Sequence, residues 1–337
     1  MAAHDSDWEG VRLHVVTGKG GTGKTTVAAA LALALAGGGR RTLLVEVEGR
    51  QGIARLFDVP PLPYEERKVA VGPGGGDLLA LAVEPRAALM EYLDIFYRLG
   101  RAGRVLDKMG AVDFATTIAP GLRDVLLTGK VYEAVRRNER GRPVYDAVVL
   151  DAPPTGRIAK FLNVNTEVAG IAKVGPVRNQ AESIMKVLRS PASVVHLVTL
   201  LEEMPVQETV DGVAELRAAG LPVGGIVVNQ VRDGVLPATA LTAAGRGRLD
   251  GAEVRAGLVA GGLVRTADAD GPRAGRLVDG LLAEAGEHAA RVALQRRERT
   301  ELDALDRPVY ELPFIPEGVD LGGLYGLAER MCAQGLA

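Results

Sequence analysis

Residues 17–26, TGKGGTGKTT, restrict this chain to very few folds. Gly18, Gly23, Lys24 and Thr25 satisfy the phosphate-loop pattern G-x-x-x-x-G-K-[ST], and Gly20, Gly21, Thr22 and Thr26 fill out the loop. Glycines let the backbone curl so that successive N–H groups converge on an anion. A helix beginning at the loop adds the positive end of its dipole. The loop therefore needs a strand before it and a helix after it, and the sequence supplies both. RLHVVT (12–17) is a β-rich run, and TTVAAALALALA (25–36) is a helix that Gly37–Gly39 end. RTLLVEV (41–47) follows as a second strand, which gives the spacing of a βαβ unit and predicts a parallel sheet.

Further buried strands are expected at LLALAV (78–83), YDAVVLD (145–151), VVHLVTL (194–200) and PVGGIVVN (222–229), with a last short one in PVYELPFIPEG (308–318). PPLPYEERK (60–68) reads as a surface loop and GPGGGD (72–77) as a turn. Leu89, Leu93, Phe96 and Tyr97 share one helical face. The expected fold class is α/β: a three-layer P-loop NTPase fold with a mostly parallel sheet, helices on both faces and a helical subdomain. Residues 1–337 read as a single P-loop domain, with helical elaborations at about 84–138, 158–191 and 231–305.

Charge excludes some functions. The 40 basic and 42 acidic side chains leave a formal net charge of −2, so no electrostatic footprint for nucleic acid is expected. Cys332 is the single cysteine, which rules out a disulfide within the chain and a cage of several thiolates. The first ten residues are polar and acidic, unlike a signal peptide, and VAAALALALAGGG is about half the length of a bilayer span. A cytoplasmic location is the expectation.

In such a loop Lys24 neutralises the β- and γ-phosphates of ATP, and the Thr25 hydroxyl ligates Mg²⁺. Lys19 is a second lysine that the pattern does not require. It can point into solvent, or it can reach a phosphate held by a second subunit, as an arginine finger does. The local sequence leaves both open.

The run GKGGTGKTT (18–26) resembles the deviant Walker A loop of the signature-lysine P-loop ATPases. In that class the extra lysine crosses a dimer interface to the partner's nucleotide, which is the role the resemblance implies for Lys19. DAPPTGRIAKFL (151–162) resembles the switch II segment D-T-A-P-T-G-H of the arsenical-pump and tail-anchored-protein-targeting branch, with Asp151, Pro154, Thr155 and Gly156 matching. APGLRDVLLTGKVYEAV (119–135) is similar to that branch's helix opening with Pro-Gly, VVNQ (227–230) to its adenine-contacting segment, and LPFIPEGV (312–319) to its adenine loop. The overall pattern is most like the actinobacterial members known as anion-transporting ATPases. The resemblance implies that Asp151 holds a water on Mg²⁺, that the Gly156 N–H senses the γ-phosphate, and that Asn229, Pro313 and Ile315 contact adenine. Residues 231–305 add little to it.

The departures matter as much. The branch's switch I reads D-P-A, whereas VEVEGRQG (45–52) aligns Glu48 with the aspartate and Gly49 with the proline. Glu48 keeps the carboxylate that would position the attacking water but adds a methylene, so slow hydrolysis is expected. Glu46 is an alternative base, and a nucleotide switch without hydrolysis is the remaining option. Arg157 stands where the branch has histidine. One cysteine cannot build an arsenite site, a zinc-joined dimer or an iron–sulfur cluster. The 6 methionines are scattered, which disfavours a methionine-rich client groove.

The expectation is a dimeric Mg-ATPase switch, a homodimer or a heterodimer with a paralogous ATPase subunit, whose closure changes affinity for a client or membrane-protein partner. A partitioning-type ATPase on a membrane or DNA surface and a non-catalytic scaffold subunit are the rival readings. GLAERMCAQGLA (326–337) lacks the basic or amphipathic character the first rival wants.

Overall fold

A computed structural model describes residues 7–97, 120–171, 176–232 and 234–337. Two compact units emerge. One comprises the described parts of 1–200, 204–231 and 305–337, and the other comprises 201–203 and 232–304.

The first unit is built on an eight-stranded sheet. Its strands are β1 (Leu13–Gly18), β2 (Thr42–Glu46), β3 (Arg67–Val71), β4 (Asp77–Ala82), β7 (Ala147–Asp151), β8 (Ser193–Thr199), β9 (Val223–Val231) and β10 (Val309–Pro313). The numbers β5 (Asn138–Glu139) and β6 (Arg142–Pro143) belong to a separate small hairpin. The order is β10-β9-β8-β1-β7-β2-β4-β3, parallel throughout except for the antiparallel β3–β4 pair. β1, β2, β7 and β8 are buried along their whole length because helices cover both sheet faces. Alternate side chains feed two separate cores. Leu13, Val15, Leu43, Val45, Val148 and Leu150 face one way. Val16, Leu44, Val149 and Val198 face the other.

On the second face lie α1 (Lys24–Leu35) and, at the chain's far end, α11 (Leu321–Ala333), which pack on each other. α1 is buried on every side from Val27 to Leu35. Its alanines keep the helix thin enough to sit against both the sheet and α11. The opposite face carries α4 (Pro120–Arg136), α5 (Thr155–Ile171), α6 (Pro176–Leu188) and α7 (Glu203–Ala218). Two shorter elements complete this part of the chain, α2 (Gly52–Leu56) and α3 (Pro85–Tyr97). Leu89 of α3 joins the first core. The side chains of the other three residues of its apolar stripe lie outside the described residues.

The second unit is helical: α8 (Ala238–Gly245), α9 (Gly251–Ala260) and the long α10 (Pro272–Asp303). Leu241 and Ala244 pack on Ala289 in a small core. Asp250 caps α9 by accepting a hydrogen bond from the Ala252 N–H at 2.8 Å.

Candidate active site

The sheet's order places a site before any side chain is considered. The crossover from β1 leads toward β2, and the crossover from β7 leads to β8 on the other side of β1. Ligands of open α/β sheets bind beyond the carboxyl ends of the strands at such a reversal. Gly18 ends β1 there, and Lys24 opens α1.

Two glycines are forced by close approach. A Cβ on Gly18 would lie 2.2 Å from the Val198 carbonyl oxygen of β8. Gly23 has a φ of 86°, and its Cβ would lie 2.3 Å from Nδ2 of Asn229. That amide donates to the Thr22 carbonyl at 2.9 Å, while the Thr22 hydroxyl donates to the Lys19 carbonyl at 2.9 Å. The loop is thus pinned by β9 from one side and by its own threonine from the other. Lys24 is buried, and among the described residues its Nζ reaches the Lys19 carbonyl, at 3.4 Å. Burial holds its ammonium below the ordinary lysine range, against the opposing pull of Asp151 and Glu48. A desolvated cation in this position favours a bound polyanion.

Beside it, the Thr25 hydroxyl donates to Asp151 Oδ2 at 2.7 Å. Asp151 is buried at the end of β7, and its carboxyl is raised to about 6, first by burial, with the Thr25 hydrogen bond and Lys24 pulling down. Glu46, at the end of β2, is also buried, and one of its carboxylate oxygens has no hydrogen-bond partner among the described residues. Hydroxyl and carboxylate oxygens suit a hard divalent cation, so these residues fit Mg²⁺. Among the described residues no group of three or more His, Cys, Asp or Glu is placed to hold a metal. An ion here would take its remaining ligands from nucleotide and water.

Lys19, which the resemblance sends to a partner's phosphate, pairs within this chain with Glu208 on α7. The other oxygen of Glu208 accepts from the Thr155 hydroxyl at 3.3 Å. Glu208 therefore ties the loop's extra lysine to the start of switch II, one residue before Gly156. Gly156 is exposed in the first turn of α5, and a Cβ there would meet nothing within 4 Å. Thr17 adds a second tie, donating to the Pro153 carbonyl at 2.7 Å. Arg157 is largely exposed and approaches Asp124 at 3.9 Å.

Switch I takes a course that proline could not follow. Gly49 has a φ of 68°, whereas proline is fixed near −65°. Glu48 faces Arg50 at 3.7 Å and helps line a cavity of about 200 Å³ with Arg123, Asp124, Pro153 and Arg157. Gln51 fastens the segment by a reciprocal pair of bonds to the Leu62 backbone, at 3.0 and 2.7 Å. At the other edge, Pro313 aligns with Val231, two residues past Asn229, and the Phe314 N–H donates to the Val231 carbonyl at 2.8 Å. Asn229, Pro313 and Ile315 thus lie on neighbouring β9 and β10 segments. Thr26 sits half-buried in the first turn of α1, and Gly20 and Gly21 are exposed at the loop's tip.

The family model described as anion-transporting ATPase matches residues 11–195, the stretch that carries the loop and both switches. The chain belongs to the anion-transporting ATPase family. It is 55% identical to the ATPase BagA of Mycobacterium tuberculosis over 97% of this chain and 94% of that protein. It is 28% identical to a candidate arsenical pump-driving ATPase of Chlorobaculum tepidum over 66% of this chain and 62% of that one. With the ATPase GET3 of Kluyveromyces lactis it shares 26% identity over 64% of this chain and 71% of that one. As an anion-transporting ATPase family member, this chain hydrolyses ATP on an α/β fold with a mostly parallel sheet. Among its described residues no helix is long and apolar enough to cross a membrane.

Reading the motifs alone did not find Glu208, Gln51 or Thr17. Glu208 sits in VQETV, an ordinary amphipathic run, and its importance comes only from the Lys19 and Thr155 side chains that meet it.

Proposed function

We propose that this chain is a Mg-dependent, slowly hydrolysing ATPase switch that works as a dimer in the cytoplasm. ATP closes two subunits, identical or paralogous, and hydrolysis reopens them, changing the affinity for a protein partner or client. No nucleic-acid partner is proposed. The observation that carries the reading is the pair of lysines on one loop. Lys24 is buried under the loop where it needs a counter-charge, and Lys19 is partly exposed at the rim, on a carboxylate it can leave.

In this reading the loop from Gly18 to Thr26 wraps the phosphates, with Lys24 neutralising their charge. Thr25 and Asp151 hold Mg²⁺, Thr25 directly and Asp151 through water; the bound ion would neutralise charge on the transferring phosphoryl group. Asn229, Pro313 and Ile315 form the adenine side. Glu48 orients the attacking water. Its longer side chain and the glycine that follows leave that water less well fixed, so turnover is slow. Gly156 reports the γ-phosphate to α5.

Sedimentation velocity with ADP and with a non-hydrolysable ATP analogue tests the switch. The analogue is expected to drive wild type to a dimer and to leave Lys19→Ala monomeric. Phosphate release by Glu48→Gln is expected to fall about a hundredfold below wild type, the scale of a lost general base. A wild-type mass that ignores the analogue sinks the dimeric switch.

A further inference from the structure

Glu46 is a buried acid at the heart of this site with an unexplained orphaned oxygen. Its side chain is only 2% exposed. Oε2 accepts the Ile53 N–H at 3.3 Å, and Oε1 is buried with no hydrogen-bond partner among the described residues. An orphaned acceptor of this kind costs about 1–3 kcal/mol, more when charged, so it persists where something else satisfies it.

Three contacts say what lies next to it. Glu46 and Asp151 are register partners across the parallel β2–β7 pair, so their side chains leave the same face of the sheet side by side. Asp151 is bonded to Thr25. Gly52, the neighbour of the residue that holds Oε2, is packed so closely on Thr25 that its Cβ would lie 3.1 Å from Thr25 Cγ2. The Glu46 carboxylate therefore sits in the corner formed by α2, Thr25 and Asp151. Glu48, by contrast, lines the open cavity with Arg50 and Arg157.

We infer that Glu46 is a second outer-sphere carboxylate for the nucleotide's Mg²⁺, with Oε1 accepting from a water on the ion. The inference rests on the nucleotide reading above. Mg²⁺ dehydrates reluctantly and keeps several waters, each of which needs an acceptor. Asp151 supplies one, and a second carboxylate from the adjacent strand end supplies another. Glu46 is thus a positioning residue for the ion and not the base. The Ile53 bond fixes one oxygen and so aims the other, as outer-sphere partners of metal ligands commonly are.

The test titrates Mn²⁺, read by its electron paramagnetic resonance signal, into wild-type and Glu46→Gln protein with ADP, and measures ADP affinity in EDTA. Gln keeps the shape but puts an amide where an acceptor is required. Mn²⁺ affinity of the ADP complex is expected to fall about ten- to a hundredfold, the range for outer-sphere partners, while metal-free ADP binds at least as well as to wild type. Glu46→Asp, which withdraws the charge by one methylene, is expected to lose Mn²⁺ affinity in the same direction and serves if the Gln variant does not fold. Variants that melt earlier yet hold Mn²⁺ as wild type does overturn the inference and leave Glu46 a purely structural acid. Wild type that binds ADP indifferently to metal removes the nucleotide reading, and this inference with it.

Discussion

Lys19 shows how a single ammonium can have two partners that exclude each other. In one chain it sits on Glu208, which also holds Thr155 at the start of α5. If the lysine crosses to a neighbour's phosphate, the role the family resemblance implies, that ion pair breaks and Glu208 is left with Thr155 alone. Both side chains are about one-third exposed, 28% and 35%, so the pair is worth at most about 1 kcal/mol. A dimer gives up two such pairs. Glu208→Gln should therefore tighten analogue-driven dimerisation by up to roughly thirtyfold, the equivalent of about 2 kcal/mol. Sedimentation equilibrium over a range of protein concentrations reads this directly. An unchanged dimer constant would mean that Glu208 does not restrain Lys19. The same substitution should leave the melting temperature nearly untouched, because a pair one-third exposed contributes little to folding.

Between residues and the whole fold, the glycine turn joining β3 to β4 fixes how the sheet's far edge meets α1. The Gly72 N–H donates to the Gly76 carbonyl at 2.7 Å, and a Cβ on Gly76 would lie 1.9 Å from the Ala36 oxygen and 2.2 Å from that of Arg40. Both obstacles are backbone, so nothing flexible can give way. Gly76→Ala should destabilise the protein by about 1–3 kcal/mol or more, the scale of forced overpacking, read as a lower urea midpoint with unchanged slope. GPGGGD (72–77) was legible as a turn, but its contact with the end of α1 was not, since nothing local announces it. The same division holds elsewhere. β1, β2, β7 and β8 were legible because burial on both faces turns them into continuous apolar runs. β3, RKVAV, was read partly as loop because an edge strand exposed along most of its length keeps its charged residues. The two-residue strands β5 and β6 are too short to leave a periodicity. In the site, the loop was read from its spacing and residues 151–162 from a family resemblance, whereas the Asn229–Thr22 bond joins residues 207 positions apart and the Lys19–Glu208 pair spans 189. Pairings of that range are set by the strand order, which no motif encodes.

For the molecule as a whole, the strongest link between solution conditions and stability is a pair of imidazoles in the sheet. His14 on β1 and His196 on β8 are both fully buried, with rings stacked at 5.5 Å. The Gly225 N–H donates to His196 Nδ1 at 3.2 Å, so the proton of neutral His196 is on Nε2, where it donates to His14 Nδ1 at 3.2 Å. This leaves the His14 proton on Nε2, a buried atom. Burial lowers His14 to about 4 and His196 well below the ordinary value. The unfolded chain therefore binds protons that the folded chain refuses, starting near pH 6.5, and stability falls as pH drops below that point. At pH 5 His14 alone costs about 2 kcal/mol, and His196 pulls in the same direction. Asp151 works the other way: raised to about 6 when folded, it takes up a proton on acidification and returns about 1 kcal/mol by pH 5. The net expectation is a loss of stability between pH 7.5 and pH 5, since the two imidazoles together outweigh the single carboxyl. Trp8, the single tryptophan, lies edge-on to His196 at 5.2 Å and so reports unfolding from beside the pair. Urea titrations followed by its fluorescence should show the midpoint dropping across that interval in wild type. In a His14→Asn/His196→Gln double variant the drop should shrink or vanish, because the imidazole contribution is gone while that of Asp151 remains. A wild-type midpoint that stays level from pH 7.5 to pH 5 would mean that the imidazoles are not held neutral against the sheet.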